Sequence, residues 1–491
     1  MKLEALLENI RFYRTTRSIQ GLDVSGISMD SRKTSPGDLF VCIRGIKADG
    51  HTFVREAEEK GATAIVAEAP IESSVPVIYV NDTTKALAMT ASAFYRFPTE
   101  QLRLIGITGT NGKTSISYLL DELFAHHQCS TGVIGTIQVK IAGRTMPVQH
   151  TTPDALSLQG YFSKMVERNV DTAVMEVSSH ALDQGRVFGC EFDVAVFTNL
   201  TRDHLDYHDH FEDYFRAKSL LFAQLGNGYN SKSPKYAVIN KDSLYASKLI
   251  QSTAQPILTY AIQSKADVWA SDITCNESGT HYVLHTPPGD ITIRSPLMGR
   301  FSIYNMLAAA SVGVVCDVPL NTMKQVFEQT KGIKGRFEPV REGQPFGVVV
   351  DYAHTPDSLE NVLQTIQQFC KNKVWVVVGC GGDRDRKKRP MMADAAMKLA
   401  DEVIFTTDNP RTEDPEEIFR DMVEGKTEGY QWIEDRKQAI RAALTGAGSG
   451  DVVLIAGKGH ETYQEVNGVR THFDDCEVAK EILRSIKENK R

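Results

Sequence analysis

Short apolar runs alternate with longer amphipathic segments along most of the chain. The runs end in glycine or polar residues, and in the longer segments apolar residues recur every three or four positions. Such runs predict buried strands, and the periodic segments predict helices. A regular succession of strand and helix is typical of a mostly parallel sheet covered by helices. The pattern therefore predicts an α/β protein.

The same pattern divides the chain into three blocks. Residues 1–100 contain a short helix, strand-like runs broken at the turn signal Ser-Pro-Gly-Asp, and helix–strand units. Residues 101–335 repeat strand and helix, and residues 336–491 form a further α/β block. A chain of 491 residues is too long for one core. We therefore expect three domains with boundaries near residues 100 and 335.

The segment IGITGTNGKTS, residues 105–115, lies between a predicted strand and a predicted helix. Backbone N–H groups at a helix N-terminus bind anions, and glycines let the backbone approach a phosphate closely. At the helix start, Lys113 can neutralise phosphate charge and the Thr114 hydroxyl can ligate Mg²⁺. The segment predicts a Mg²⁺-nucleotide site formed by Gly109, Thr110, Asn111, Gly112, Lys113, Thr114 and Ser115.

Polar residues that could hold a metal follow two later strands. Glu176 interrupts the apolar run VDTAVMEV near its end, and a carboxylate at this end of a strand can hold Mg²⁺ directly or through water. The next polar cluster could form a zinc site, since His204 and His208 stand four residues apart, or His204 alone could complete a second Mg²⁺ site. The members of this cluster are Asp203, His204, Asp206, His208, Asp209 and His210. On the helix that follows, spacing alone predicts that Lys218 is exposed.

Strand ends in the third block also carry polar residues. Asp351 and His354 follow its first strand, and open α/β sheets bind ligands at this edge. The next strand ends in glycines that lack the spacing of a dinucleotide fingerprint, so no dinucleotide is expected. Two later strands end in the segments DNPR, residues 408–411, and GKGHE, residues 457–461.

Composition excludes several kinds of partner. A net charge of −7 gives no general attraction to nucleic acid or to an acidic membrane surface, so small-molecule partners are expected. No segment approaches the roughly 18 apolar residues of a membrane span, and the first residues carry acids where a signal peptide needs an apolar core. The eight cysteines lack metal-ligand spacing and suit a reducing compartment. We therefore expect a cytoplasmic protein with free thiols, no membrane insertion and no nucleic-acid partner.

Motifs spread over nearly the whole chain resemble those of the ATP-dependent Mur ligases of bacterial cell-wall synthesis. They occur in the order DSRKTSPGDLFV, GITGTNGKTS, MEVSSHAL, FTNLTRDHLDYH, AKSLLF, GRFE, DYAHTPDSL, GCGGDRDRKKRP, DNPR and GKGHE. The resemblance implies a central P-loop domain with a parallel mononucleotide-binding sheet at 101–335. It also implies an N-terminal UDP-sugar-binding domain at 1–100 and a C-terminal Rossmann-like, amino-acid-binding domain at 336–491. We expect a monomer.

The resemblance also implies roles for individual residues. ATP would bind across the phosphate loop and at Asn305, Arg336 and Asp351. Two Mg²⁺ ions are expected, and Lys218 would be carbamylated, which replaces a cation by an anion able to orient metal. The metal ligands would be Thr114, Glu176, His204 and Lys218, and the catalytic set would be Lys113, Glu176, His204 and Lys218. The substrate UDP-N-acetylmuramoyl-L-alanyl-D-glutamate would contact Ser31, Thr151, Thr152, Ser178, Gln184 and Arg186.

The implied reaction forms an acyl phosphate on the D-glutamate carboxylate, from which an incoming amine displaces phosphate. In this family DNPR accompanies meso-diaminopimelate, and a guanidinium fork can hold the distal carboxylate that lysine lacks. The implied pocket consists of Arg384, Asp408, Asn409, Pro410, Arg411, Gly457 and Glu461. The alternatives are an L-lysine-adding Mur ligase, a folylpolyglutamate synthetase, and a regulatory protein that hydrolyses ATP without ligating a substrate.

Overall fold

The computed structural model describes residues 1–45, 48–148, 150–201, 207, 210–229, 234–276 and 279–489. Three sheets follow one another along the described chain, and a two-stranded hairpin lies near its end. The predicted α/β class with a mostly parallel central sheet is confirmed. All eight cysteines lie in the described part and have free thiols, as expected. No helix within the described ranges is both long and apolar enough to span a bilayer.

The first sheet belongs to the N-terminal block. Its strands are β1 (Arg14–Thr15), β2 (Gly26–Ser28), β3 (Asp38–Val41), β4 (Ala64–Ala67) and β5 (Val77–Tyr79), and its helices are α1 (Leu3–Leu6), α2 (Val54–Glu59) and α3 (Thr83–Phe94). The strand order is β1-β5-β4-β3-β2, with β1 antiparallel and the other strands parallel. Helix α3 starts at an N-cap, Asp82, whose side chain accepts a hydrogen bond from the Lys85 backbone.

The second sheet has eleven strands and carries the phosphate loop. Its strands are β6 (Arg103–Thr108), β7 (Thr131–Ile134), β8 (Val139–Ile141), β9 (Arg144–Met146), β10 (Thr172–Glu176), β11 (Val194–Phe197), β12 (Tyr236–Asn240), β13 (Ile257–Ala261), β14 (Val268–Asn276), β15 (Gly279–Thr286) and β16 (Gly289–Ser295). Its helices are α4 (Lys113–His126), α5 (Ala155–Glu167), α6 (Ser179–Asp183), α7 (Phe211–Ala223), α8 (Ala246–Ile250), α9 (Arg300–Val315) and α10 (Leu320–Gln329). The strand order is β16-β15-β14-β13-β12-β11-β6-β10-β7-β8-β9.

Strand β6 lies in the interior of this sheet, parallel to both neighbours, β10 and β11. Ile105 and Ile107 pack in one hydrophobic cluster with α4 and α9, and Leu104 packs on the other face with α5 and α7. Because both faces are covered by helices, the strand has to be apolar on both sides. This burial explains the continuous apolar runs from which the parallel sheet was predicted.

Antiparallel strands extend the central sheet at both edges, which the sequence analysis did not predict. Strands β14, β15 and β16 form one antiparallel meander, and β7, β8 and β9 form another. Along β15, Tyr282 and Leu284 are buried, whereas the residues between and beside them are half-buried. A sheet covered on one face has this alternation of period two. The alternation is therefore the signal in the sequence that separates this edge from the parallel core.

Helix α9 begins one turn earlier than predicted. The apolar pattern of LMGRFSIYNMLAAASVGVV, residues 297–315, predicts a helix that begins at Tyr304 and Asn305, whereas the helix starts at Arg300. Gly299 is its N-cap at φ +82°, and its carbonyl accepts a hydrogen bond from the Ser302 backbone at 3.1 Å. A glycine tolerates this left-handed conformation, so the helix can begin at Arg300, one turn ahead of Tyr304.

The third sheet belongs to the C-terminal block. Its strands are β17 (Glu338–Pro339), β18 (Gly347–Asp351), β19 (Val374–Val378), β20 (Glu402–Phe405), β21 (Gln431–Trp432) and β22 (Val452–Ala456), and the hairpin is formed by β23 (Tyr463–Val466) and β24 (Val469–His472). The helices are α11 (Pro356–Gln367), α12 (Lys388–Leu399), α13 (Pro415–Met422), α14 (Arg436–Gly446) and α15 (Asp475–Asn489). The order is β17-β18-β22-β19-β20-β21, in which only β17 is antiparallel among the described strands. The C-terminal ends of the parallel strands therefore share one edge.

Candidate active site

A cleft of about 980 Å³ lies between the central and C-terminal sheets. Its lining comes from the phosphate loop, the ends of β10, β11 and β12, the start of α9, the end of β18 and helix α11. The strands contribute their C-terminal ends, where open α/β sheets bind ligands. Of the predicted residues, the lining includes Thr110, Asn111, Gly112, Lys113, Thr114, Ser115, Thr151, Thr152, Glu176, Ser178, Arg186, Lys218, Asn305, Arg336 and Asp351.

The phosphate loop connects β6 to α4, as predicted. Lys113 is the first residue of α4, and its ammonium donates to the carbonyl oxygens of Gly109 and Thr110 at 2.8 Å each. The Thr198 hydroxyl donates to the Asn111 carbonyl at 2.6 Å and ties the loop to β11. The N-terminus of α4 opens into the cleft with the lysine beside it. This arrangement suits the binding of phosphate groups.

Glu176 is a buried carboxylate surrounded by hydroxyl and backbone donors. Its Oε2 accepts from the Thr114 hydroxyl at 2.9 Å and from the Thr136 hydroxyl at 3.0 Å, and its Oε1 accepts from the Thr136 N–H at 2.9 Å. Thr114 and Glu176 thus present hard oxygen atoms next to the phosphate loop. These are the ligands that Mg²⁺ prefers, so the residues fit this ion.

Lys218 is buried, and the prediction from spacing that it is exposed is wrong. Its side chain is 1% exposed, and its ammonium donates to the Gly109 carbonyl at 2.9 Å. The ammonium also lies 4.5 Å from the centre of the Tyr214 ring. Helix α7 packs this face against the phosphate loop, which amphipathic spacing alone does not reveal. The structure thus places Lys218 beside the phosphate loop, and its role there stays a prediction.

Several residues assigned to the UDP substrate meet at the end of β10. The Thr152 hydroxyl donates to the Glu176 carbonyl at 2.9 Å, and its carbonyl accepts from Arg186 at 3.0 Å. Two guanidinium nitrogens of Arg186 also donate to the Gln184 amide oxygen, at 2.7 and 3.0 Å. Gln184 itself lies outside the lining of the cleft. Burial lowers the pKa of Arg186, but the guanidinium stays positively charged.

Ser31 lies away from this group, in the N-terminal domain. It is buried at the start of a short 3₁₀ helix, and its hydroxyl donates to Glu56 at 2.7 Å. Ser31 is absent from the lining of the cleft within the described chain. Any ligand that touches both Ser31 and Arg186 has to extend from the N-terminal domain to the central domain.

Residues of α9 and of the C-terminal domain face the phosphate loop across the cleft. A Cβ added to Gly112 would lie 2.6 Å from the Asn305 amide oxygen, so Asn305 packs directly against the loop. The Arg336 guanidinium lies 4.9 Å from the centre of the Tyr352 ring. Asp351 accepts hydrogen bonds from the backbone of Phe337 and Ala353, at 2.7 Å each. Burial raises the pKa of Asp351, and the charge of Arg336 opposes this rise.

The residues assigned to the incoming amino acid form a second cluster at the same edge of the third sheet. Asn409 donates to Glu461 at 2.8 Å, and Arg411 donates to the Gly382 carbonyl. A Cβ added to Gly381 would lie 3.0 Å from the Arg411 guanidinium and 3.9 Å from Cγ of Arg384, so both side chains pass next to this glycine. The assigned residues Arg384, Asp408, Asn409, Pro410, Arg411, Gly457 and Glu461 are all outside the lining of the large cleft.

His204 lies outside the described residues, and so do the other members of the polar cluster apart from His210. The described part of the chain contains no group of three or more histidine, cysteine or acidic residues that could hold a metal ion. The choice between a zinc site and a second Mg²⁺ site therefore stays a prediction.

Three family descriptions match the chain in sequence order. They are the Mur ligase family catalytic domain at residues 23–95, the Mur ligase middle domain at 107–313 and the Mur ligase glutamate ligase domain at 335–459. Together they span most of the chain. The chain belongs to the Mur ligase family.

Relatives of this Mur ligase match it from end to end. Proteins of Oceanobacillus iheyensis and Bacillus licheniformis, both named UDP-N-acetylmuramoyl-L-alanyl-D-glutamate–2,6-diaminopimelate ligase, are 53% and 52% identical to it; the matches cover 99% of this chain and 99% and 100% of theirs. A solved structure with that name is 37% identical, with a TM-score of 0.69 over 94% of this chain and 95% of that chain. The MurF ligase of Thermotoga maritima in complex with ADP shares the fold at 19% identity, with a TM-score of 0.62 over 96% of this chain and 99% of that chain.

Two parts of this Mur ligase site were missed by the sequence analysis. Thr136 holds both oxygens of Glu176 but follows a strand in a segment without a recognisable motif. Tyr304 donates to Asp242 at 2.8 Å, and both residues line the cleft. They are 62 positions apart in the sequence, so only the packing of α9 beside β12 brings them together. For Thr136, the position after a parallel strand was the available signal.

Proposed function

We propose that this Mur ligase adds meso-2,6-diaminopimelate to UDP-N-acetylmuramoyl-L-alanyl-D-glutamate in peptidoglycan synthesis, with ATP converted to ADP and phosphate. The observation that carries the proposal is the full-length identity of about one half to relatives that are named for this reaction. The phosphate loop, the cleft and the arginine-containing cluster at the third sheet are consistent with this reaction. An L-lysine-adding ligase and a folylpolyglutamate synthetase are the alternatives that use the same fold.

ATP is proposed to bind with its phosphates on the loop at Gly109–Ser115. The N-terminus of α4 and Lys113 supply positive potential there, and the lysine ammonium already lies within the loop. Asn305 packs on the loop from α9, and Arg336 and Asp351 face it from the C-terminal domain. Closing these elements on the nucleotide would exclude water from the reacting phosphate, which strengthens electrostatic interactions.

Mg²⁺ is proposed to be held at Thr114 and Glu176, whose oxygen atoms suit it. When bound, this ion neutralises phosphate charge and assists phosphoryl transfer. Carbamylation of Lys218 would place an anion where its ammonium now donates to Gly109. His204 is retained as a proposed ligand, and two ions are proposed in total.

The reaction is proposed to proceed in two steps. The D-glutamate carboxylate takes the γ-phosphoryl group of ATP, which gives an acyl phosphate and ADP. The neutral amine of the incoming amino acid then attacks the acyl carbon, phosphate leaves, and the amine gives up its proton as the amide forms. No protein nucleophile is needed, so the chain's contribution is positioning and charge neutralisation. Lys113 is proposed to offset the repulsion between the carboxylate and ATP.

The UDP substrate is proposed to extend between two domains. Its uridine would lie near Ser31, and its remaining groups would contact Thr151, Thr152, Ser178, Gln184 and Arg186. Arg186 is fixed by hydrogen bonds to Gln184 and Thr152, so its charge is already oriented before the substrate binds. Preorganised groups of this kind reduce the entropic cost of binding.

The distal end of meso-diaminopimelate carries one carboxylate and one ammonium. Arg411, with the Arg384 side chain beside it at Gly381, is proposed to hold the carboxylate. Glu461, whose carboxylate interacts with the charge of Arg411, is proposed to hold the ammonium. Lysine has the distal ammonium but lacks the carboxylate, so it leaves the arginines unpaired. A site built around a polar partner can reject analogues without it by roughly 10⁴-fold.

A panel of amino acids tests this proposal. ADP release is measured with the UDP-dipeptide and with meso-diaminopimelate, L-lysine or D-glutamate as acceptor, and mass spectrometry identifies the product. Turnover that requires meso-diaminopimelate and yields the tripeptide product is expected. Turnover with lysine alone would refute the substrate assignment, and ATP hydrolysis that ignores every amino acid would point to the regulatory alternative.

We also propose that the protein works in the cytoplasm as a monomer with domain boundaries near residues 100 and 335. In support of the boundaries, the described strands on either side of each one belong to different sheets. Size-exclusion chromatography with light scattering tests the monomer.

A further inference from the structure

Lys458 is a buried lysine two residues after the C-terminal end of β22, beside the proposed acceptor pocket. Its side chain is 0% exposed. The ammonium lies 2.8 Å from the Asn409 amide oxygen, 3.8 Å from Asp408 Oδ1 and 3.7 Å from Glu461 Oε2. A lysine in such a place is rare, because a buried charge is costly unless it is paired and hydrogen-bonded. It therefore needs a role that an apolar residue could not fill.

The contacts of Lys458 determine which way the Asn409 amide points. The Asn409 oxygen accepts from the Lys458 ammonium at 2.8 Å and from the Glu465 N–H at 3.0 Å. Both partners are donors only, so the reversed amide would set its NH₂ group against two donors. With the oxygen fixed, the NH₂ group has to face Glu461, and it donates to Oε2 at 2.8 Å.

Glu461 is thereby held through one of its two oxygen atoms. Within the described part of the chain, the hydrogen bonds and ion pairs of this side chain engage Oε2, which leaves Oε1 for a ligand. Burial raises the pKa of Glu461, and the positive charge of Lys458 opposes that rise. The lysine thus favours the charged carboxylate, the form that attracts an ammonium group.

We infer that Lys458 is a positioning residue for the acceptor amino acid, which orients Asn409 and, through it, the carboxylate of Glu461. The inference rests on the proposed function, since it assigns Glu461 to the ammonium of the acceptor. Lys458 touches neither substrate nor reacting atoms in this role. Replacement of Lys458 should therefore raise the KM for the acceptor amino acid and leave the KM values for ATP and the UDP-dipeptide unchanged.

The test is the substitution Lys458→Met, which keeps the length of the side chain and removes its charge. The KM for meso-diaminopimelate should rise about 10-fold to 100-fold, the range expected for loss of a hydrogen bond to a charged group. The KM values for ATP and for the UDP-dipeptide should stay within about twofold of wild type. Lys437→Met is the matched control, because Lys437 is a partly exposed lysine paired with Glu481; it should change none of the three.

A double-mutant cycle tests the route through Asn409. Asn409→Ala and Lys458→Met should each raise the KM for the acceptor. In the double variant the two effects, expressed as free energies, should be less than additive, because both substitutions break the same series of hydrogen bonds. Equal effects of Lys458→Met on all three KM values, or full additivity in the cycle, would overturn the inference. If the methionine variant does not fold, Lys458→Gln replaces it and should give a smaller rise in the same single KM, since the amide keeps an N–H donor.

Failure of this inference can be told apart from failure of the proposed function. Wild-type protein that turns over meso-diaminopimelate while Lys458→Met leaves its KM unchanged contradicts the positioning role only. Wild-type protein that turns over a different amino acid contradicts the proposed substrate, and the cycle is then measured with that amino acid.

Discussion

Replacement of Gly109 by alanine should damage the phosphate loop in two separable ways. Gly109 has φ +143°, a region that L side chains rarely adopt, so the backbone strain should cost about 1–3 kcal/mol. The added Cβ would lie 1.9 Å from the Thr198 hydroxyl oxygen and 3.0 Å from the Asn199 carbonyl oxygen. Thr198 would have to move and lose its hydrogen bond to Asn111, worth about 1 kcal/mol. The expected loss of unfolding free energy is therefore about 2–4 kcal/mol.

Two measurements and one control variant separate these contributions. Urea unfolding gives the loss of stability, and calorimetric titration gives the Kd for ATP. Gly143→Ala is the control, because Gly143 has φ +81° and an added Cβ there meets no atom within 4 Å. This control should show backbone strain without steric displacement and should bind ATP as wild type does. Gly109→Ala should be less stable than the control and bind ATP at least about tenfold more weakly, which corresponds to 1.4 kcal/mol.

The double variant Gly109→Ala/Thr198→Ala tests the steric part directly. Removing the Thr198 hydroxyl takes away the atom nearest to the new Cβ, so the two substitutions should be less than additive in unfolding free energy. The reasoning would be refuted if Gly109→Ala unfolded at the same urea concentration as Gly143→Ala and bound ATP as tightly as wild type.

Three further variants test other parts of the structure. Arg411→Ala should raise the KM for meso-diaminopimelate about 100-fold and leave the KM for ATP unchanged in an ADP-release assay, because it would remove the proposed charge-assisted contact to one substrate. Arg420→Ala, at an exposed arginine, is the control. Lys218→Ala should abolish ligation, and added short-chain carboxylates should partly restore it if a carbamate is the functional form; absence of rescue contradicts the carbamate. Burial would raise the pKa of Asp451, but hydrogen bonds from Gly448, Lys373 and Trp375 lower it below its ordinary 3.8. The charged carboxylate should thus stabilise the fold at a pH above 3.8. The difference in unfolding free energy between wild type and Asp451→Asn should shrink as the pH falls through the lowered pKa. A difference that is constant from pH 7 to pH 3 contradicts this.

Elements with strong local signals could be predicted from the sequence. Continuous apolar runs predict β6 and β10, and apolar residues at helical spacing predict α4. Because these patterns lie within each segment, the strand–loop–helix unit could be predicted. The antiparallel edge was missed because β14 to β16 differ from the core only by an alternation of period two. The start of α9 was misplaced because one glycine, and no apolar residue, sets it.

The candidate site was less accessible to pattern analysis, because its geometry depends on contacts between distant segments. Lys218 has the spacing of an exposed helix residue, and only the packing of α7 against the loop buries it. Thr136 and Glu176 are 40 positions apart and meet because β7 and β10 are neighbours in the sheet. A family motif indicated Lys218 as a candidate site residue, whereas no motif indicated Thr136.

The cleft at the phosphate loop and the cluster around Asn409 and Glu461 are joined through the segment at which the C-terminal domain begins. Tyr352 lines the cleft, its N–H donates to the Gly335 carbonyl at 2.9 Å, and its ring lies 4.8 Å from that of His460. A Cβ added to Gly335 would lie 2.0 Å from the backbone nitrogen of His460, so the backbone of the segment that carries Glu461 packs directly on this border. Arg336 follows Gly335 and faces the nucleotide loop from the same border. Under the proposed function, a movement of the C-terminal domain that carries Arg336 toward the phosphate loop would also move the cluster around Asn409 and Glu461, so that one closure would bring the amine toward the acyl phosphate.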